Sequence, residues 1–144
     1  MKKTNSILLA LAIVLTSLFT ITSCKKGTDD PVISLKTRKD RFTNTWTLNK
    51  YEKNGTTQDV NGATYTYLVR NDGSLTQTVE GSVFGFATRT VSEGSWVFEN
   101  DDEDVKITIG SNVVIYNIQR LASKELWLKN TEGSNTHMYY FDGL

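Results

Sequence analysis

"TYTYLVRNDGSLTQTVE", residues 64–80, decides the fold class. Each arm alternates β-branched or aromatic residues with polar ones, a period of two that sends successive side chains to opposite faces of a strand. Between the arms, "NDGS" (71–74) supplies residues that tolerate positive φ or bond their own backbone, which is hairpin chemistry. The same pattern repeats in both directions. Strands are expected at "TWTLNKYEK" (45–53), "TYTYLVR" (64–70), "SLTQTVE" (74–80), "VFGFATRTV" (83–91) and "SWVFE" (95–99). They continue at "DVKITIG" (104–110), "VVIYNIQ" (113–119), "ELWLK" (125–129) and "HMYYF" (137–141).

Nothing from Phe42 onward sustains an apolar helical period, and the short connections leave no room for parallel crossovers. The expectation is an all-β antiparallel up-and-down meander over residues 41–144, closing into a barrel of about eight strands. Closure removes the exposed edges that an open meander would present.

Upstream the chain changes character. Lys2 and Lys3 precede an uncharged apolar run, "ILLALAIVLTSLF" (7–19), and small residues follow at Thr22 and Ser23, the layout of a secretory signal peptide over residues 1–23. The run is short for a membrane span, which needs about 20 apolar residues. The next residue, Cys24, is the single cysteine and cannot form an internal disulfide. "ITSC" (21–24) resembles the lipobox of bacterial lipoproteins. That resemblance implies cleavage before Cys24, a diacylglyceryl thioether on its sulfur and acylation of its new amino terminus. Several acyl chains anchor a protein firmly to a bilayer.

"KKGTDDPVISLKTRKD" (25–40) is polar and aperiodic, so residues 24–40 read as a flexible tether. "SCKK" followed by acidic residues is similar to the start of Bacteroidetes lipoproteins. There Asp29 and Asp30 would serve as a surface-export mark; a merely solvating linker is the other reading. The resulting address is the cell envelope, as an outer-membrane lipoprotein facing the periplasm or the surface.

Composition excludes several functions. The chain has 16 basic and 16 acidic side chains, and losing Lys2 and Lys3 with the signal leaves a slight acidic excess. That balance argues against nucleic acid as a partner. One histidine, His137, with no cysteine partner argues against a transition-metal site. The acidic run Glu99–Asp104 reads as a solvated hairpin tip before it reads as a calcium loop, because it lacks the spaced ligands and central glycine. No nucleophile elbow or phosphate-cradling glycine loop is present. No enzyme activity is expected, with a surface hydrolase kept as a remainder, and the only cofactor expected is the covalent lipid on Cys24.

Several stretches carry a further resemblance, to the lipocalin-like lipoproteins of Bacteroidetes: "WTLNKYEKNG" (46–55), "LVRNDGSL" (68–75), "EGSWVFEND" (93–101), "VIYNIQRLASKELWLK" (114–129) and "MYYF" (138–141). It implies a calycin-type barrel. Lipocalins proper carry Gly-x-Trp on the first strand, where the tryptophan plugs one barrel end; here the equivalent is "NTW" (44–46), and "GSW" (94–96) falls in mid-chain. Aromatic residues occur on nearly every expected strand, and inward-facing ones either fill a small barrel or line a ligand cavity. The expected function is noncovalent binding of a small hydrophobic or amphipathic ligand, with Phe84, Phe86, Tyr65, Tyr67 and Trp96 as the lining. The alternative is a filled barrel that docks a protein partner in an envelope complex.

Overall fold

The computed structural model describes residues 30, 35–60 and 62–144. The expected signal peptide, Cys24, Asp29 and most of the expected tether lie outside the described residues. Nine antiparallel strands run β1 (Thr45–Lys53), β2 (Thr56–Gln58), β3 (Thr64–Val69), β4 (Ser74–Val83), β5 (Phe86–Glu99), β6 (Asp104–Ile109), β7 (Asn112–Leu121), β8 (Glu125–Glu132) and β9 (Asn135–Gly143). Each pairs with the next from β3 onward, and β1 pairs with both β3 and β9, so eight strands close into a barrel. β2 is a short flap folded back on β1.

One end of the barrel is closed. Trp46, on β1, is fully buried there and donates its indole N–H to the Phe42 carbonyl at 2.8 Å. It fills the plug position although no glycine precedes it as in Gly-x-Trp. Phe42 ends a short helix, α1 (Arg38–Phe42), and caps the interior with its ring centre 4.8 Å from Trp96 and 5.3 Å from Phe98. Gly94 lies where β5 crosses β6 so closely that a Cβ would collide with the Thr108 carbonyl.

The structure departs from the sequence reading at three places. Residues 37–40, read as tether, begin α1: the Thr37 side chain accepts from the Asp40 N–H at 3.0 Å while the Asp40 carboxylate accepts from the Thr37 N–H, a reciprocal capping box. Asp30, also read as tether, is only 5% exposed. It pairs with Arg38, lies 4.0 Å from Arg41 and accepts the Leu121 backbone N–H at 2.6 Å. The domain's packed contacts therefore reach back beyond residue 41.

The third departure is at β4 and β5. The stretch expected as one strand, 83–91, is broken by a two-residue turn at Phe84–Gly85, both with positive φ (52° and 82°). Beyond the turn, the strands expected at 83–91 and 95–99 join into the 14-residue β5. The reason is register: β4 pairs with β5 in an unbroken ladder from Ser74↔Ser95 to Val83↔Phe86.

Candidate functional site

At the other end the barrel opens. β1 pairs with β3 only over residues 45–47 and 66–68, and β7 pairs with β8 only from Asn117↔Lys129 inward, so the wall parts at two seams. Between them lies a cavity of about 440 Å³, with a smaller lobe of about 150 Å³ against Ile107, Ile109 and Val114. A groove of about 680 Å³ follows the β7–β8 seam from Tyr116 and Tyr139 to the exposed Val113 and Ile115.

Tyrosine dominates the lining: Tyr51, Tyr65, Tyr67, Tyr116 and Tyr139, with Leu48, Val60 and Phe141 as apolar wall and Gln77, Asn112 and Asp59 as polar groups. Strand alternation positions most of them. Tyr65 and Tyr67 follow Val69 up the inner face of β3, and Tyr139 and His137 follow Phe141 up β9. Tyr51 arrives by a different route. A register shift between Leu48 and Lys50 inverts the alternation, turning Tyr51 inward and leaving Lys50 and Glu52 outside, paired at 2.6 Å.

The rings lock against one another. Tyr51 stacks on Tyr139 with centres 5.0 Å apart, and Tyr116 meets Tyr139 at 90° and 5.6 Å. His137 is buried; its Nδ1 shares a hydrogen bond with the Tyr51 hydroxyl at 2.7 Å. Gln77 donates to the Tyr67 hydroxyl at 3.1 Å. Burial pushes the Tyr139 phenol up to about 12, with Tyr51, Tyr67 and Glu132 adding to the effect. Burial foremost raises Tyr116 further still, helped by Tyr67 and Tyr139, and it raises Tyr67 against the Gln77 hydrogen bond. These hydroxyls are therefore neutral donors and acceptors, not proton-transfer groups near neutral pH.

Of the residues expected to form the lining, Tyr65 and Tyr67 are in it and three are not. Phe84 and Phe86 sit at the tip of the β4–β5 hairpin, 98% and 77% exposed, because Phe84 lies in the turn itself and Phe86 opens the strand that follows it. Trp96 lies below the cavity at the closed end, between Phe42 and Phe98, donating its indole N–H to the Arg70 carbonyl at 2.9 Å. Cys24 lies outside the described residues. Sequence reasoning missed Tyr51, Tyr116 and Tyr139. The last two were available from alternation with Ile118 and Phe141 once the inner face was known; Tyr51 was hidden by the bulge.

The acidic loop after β5 belongs to the closed end. Asn100, Asp101 and Asp102 all take positive φ, and the Asp102 carbonyl accepts from Arg38 Nε at 2.7 Å. No cluster of three potential metal-ligating residues occurs among the described residues.

No protein-family model matches the sequence, and no curated relative does either. Solved structures do. A lipocalin-like protein from Bacteroides uniformis superposes with a TM-score of 0.56 at 15% identity, covering 72% of this chain and 99% of that one. Japanin from Rhipicephalus appendiculatus, bound to cholesterol, superposes with a TM-score of 0.52 at 11% identity, covering 71% of this chain and 75% of its own. At those identities the likeness is one of fold: a lipocalin-like barrel.

Proposed function

We propose that this protein is a membrane-anchored, lipocalin-like barrel that takes up a small hydrophobic or amphipathic ligand without covalent chemistry. The observation that carries the reading is the cavity of about 440 Å³, walled by aromatic rings at the open end of a barrel whose other end is plugged. Its size is that of a small-molecule site. The cholesterol bound to Japanin supports an apolar ring system as one candidate for so aromatic a wall.

The anchor is the lipid carried on Cys24, and the cell envelope is its place. Asp30, pinned to Leu121 and Arg38 at the closed end, follows Cys24 by six residues, a reach of about 20 Å at most. That tie favours the closed end toward the bilayer and the open end away from it.

A second reading has one observation in its favour. Phe84 and Phe86 project from the hairpin tip at the open end, where an envelope protein partner would find an apolar contact.

Native mass spectrometry of the protein released from its membrane decides between them. A binder carries a co-purifying small molecule or gains the mass of added cholesterol. An unliganded mass that cholesterol leaves unchanged overturns the cavity as a ligand site and leaves the docking reading.

A further inference from the structure

We propose that the ligand is an elongated amphipath lying through the side of the barrel: its apolar body fills the aromatic cavity, and its hydrogen-bonding head leaves between β7 and β8 rather than over the rim. This deepens the ligand-binding reading and rests on it.

The ladders show where the wall is open. β6 pairs with β7 from Asp104↔Asn117 to Ile109↔Asn112, and β8 pairs with β9 out to Glu132↔Asn135. Between β7 and β8 the ladder stops at Asn117↔Lys129. Residues 112–116 and 130–132 therefore border one groove with no strand paired to their near edges among the described residues. Such edges present backbone N–H and C=O groups to whatever lies between them. The seam between β1 and β3 differs. There β2 takes up the β1 edge over residues 51–53, and Asp59 and Val60, which follow it, come onto the cavity.

Three hollows run in series through the β7–β8 opening. The cavity shares Asn112, Tyr116 and Tyr139 with the groove of about 680 Å³. The groove shares Ile115, Asn130 and Thr131 with an outer recess of about 340 Å³. The linings change character along the way. Leu48 and Phe141 wall the cavity among the tyrosines, and Ile107, Ile109 and Val114 wall its smaller lobe. The recess is lined by Asp104, Asn117, Lys129, Asn130 and Thr131, with Ile115 as its one apolar side chain. An apolar body gains from burial at the inner end, and a polar head keeps its hydrogen bonds at the outer one. Charges of both signs stand at this exit, so the recess offers hydrogen bonding rather than a preference for net charge.

Asn130 marks the junction. It follows Leu126 and Leu128 on the inner face of β8 and lines both groove and recess. Its Oδ1 is shut off from solvent and meets no hydrogen-bond donor. A buried acceptor left unpaired is costly. A hydroxyl or amide head in the seam supplies the donor.

The test uses the full-length protein in phosphatidylcholine nanodiscs and two photoprobes built on monododecanoylglycerol, one with a diazirine at the end of the chain and one with it on the glycerol. Labelled peptides are read by mass spectrometry. The chain probe should mark the cavity at Tyr67, Ile107 or Tyr116, and the glycerol probe should mark residues 112–115 or 129–132. Asn130→Leu, with its fold checked by circular dichroism, should raise the melting temperature while cutting labelling by the glycerol probe about fivefold. Glycerol-probe labelling at Asp59 and Val60, or chain-probe labelling at residues 129–132, overturns the lateral exit and leaves ligand binding intact. Undiminished glycerol-probe labelling of Asn130→Leu overturns the hydrogen-bonded head. Cholesterol uptake without labelling by either probe overturns the elongated amphipath alone. If neither the probes nor cholesterol bind, the cavity is not a ligand site and both readings fall together.

Discussion

Asp30 Oδ1 accepts a hydrogen bond from the Leu121 backbone N–H at 2.6 Å, joining two residues 91 positions apart. The same carboxylate faces Arg38 and Arg41, and all three side chains are nearly out of water. Asp30→Ala would leave two guanidinium groups and one backbone donor buried without their anion. The expected loss is about 3–5 kcal/mol of unfolding free energy, with Asp30→Asn losing less because the amide oxygen still accepts from Leu121. Urea midpoints of the two variants check this; equal midpoints for Asp30→Ala and the parent protein would refute the role.

Trp46 plugs the closed end with no exposed surface. Trp46→Ala is expected to cost about 3–5 kcal/mol through the void it leaves. Trp46→Phe should cost less but still orphan the Phe42 carbonyl, for about 1–3 kcal/mol. Thermal melts of both, ranked Ala below Phe below parent, are the expected outcome.

Phe84 occupies a left-handed turn position that favours asparagine or glycine, and its side chain is almost wholly exposed. Phe84→Asn creates Asn-Gly, the preferred pair for this turn. It should stabilise the protein by about 1 kcal/mol and leave ligand uptake unchanged. A loss of uptake would place Phe84 in the binding event after all.

Alkaline pH provides a further check. The Tyr67, Tyr116 and Tyr139 phenols are raised above their ordinary value of 10.0 in the folded state. Above about pH 10 the unfolded chain gives up these protons more readily than the folded one, so the unfolded state binds fewer protons and stability falls as pH rises. Their contribution is complete below about pH 10 and declines from there through about 12, where Tyr139 titrates when folded. Tyr116→Phe should flatten this decline. Phenolate absorbance should rise in at least two stages; a single rise near pH 10 from all six tyrosines would contradict the buried cluster.

Cys24→Ser tests the anchor. Metabolic labelling with a fatty acid should vanish, and processing of the amino-terminal segment should stop. Unchanged labelling would mean that the lipid, if any, is carried elsewhere.

The strands were legible because β-branched and aromatic residues alternate with polar ones between turn residues, a pattern only a half-buried sheet explains. "NDGS" marked the turn between β3 and β4, Tyr65 and Tyr67 followed as cavity residues, and the closed barrel of about eight strands came with them, while the short β2 went unread. The hairpin at Phe84–Gly85 was not legible, because phenylalanine is a strand former and a poor choice for positive φ. α1 was hidden by its length, although "TRKD" (37–40) carried the capping-box spacing that announces a helix start.

By itself, then, the sequence determined the class, an antiparallel barrel, since periodicity and turn chemistry are local properties. Tertiary structure decided which aromatics meet. The bulge between Leu48 and Lys50 turned Tyr51 toward Tyr139, and the β4–β5 register carried Phe84 and Phe86 out of the barrel. The fold also drew Asp30 into the closed end, a burial possible only because Arg38, Arg41 and the Leu121 amide converge there from distant parts of the chain. Facing, register and burial of charge depend on partners far away in sequence, and no local pattern encodes them.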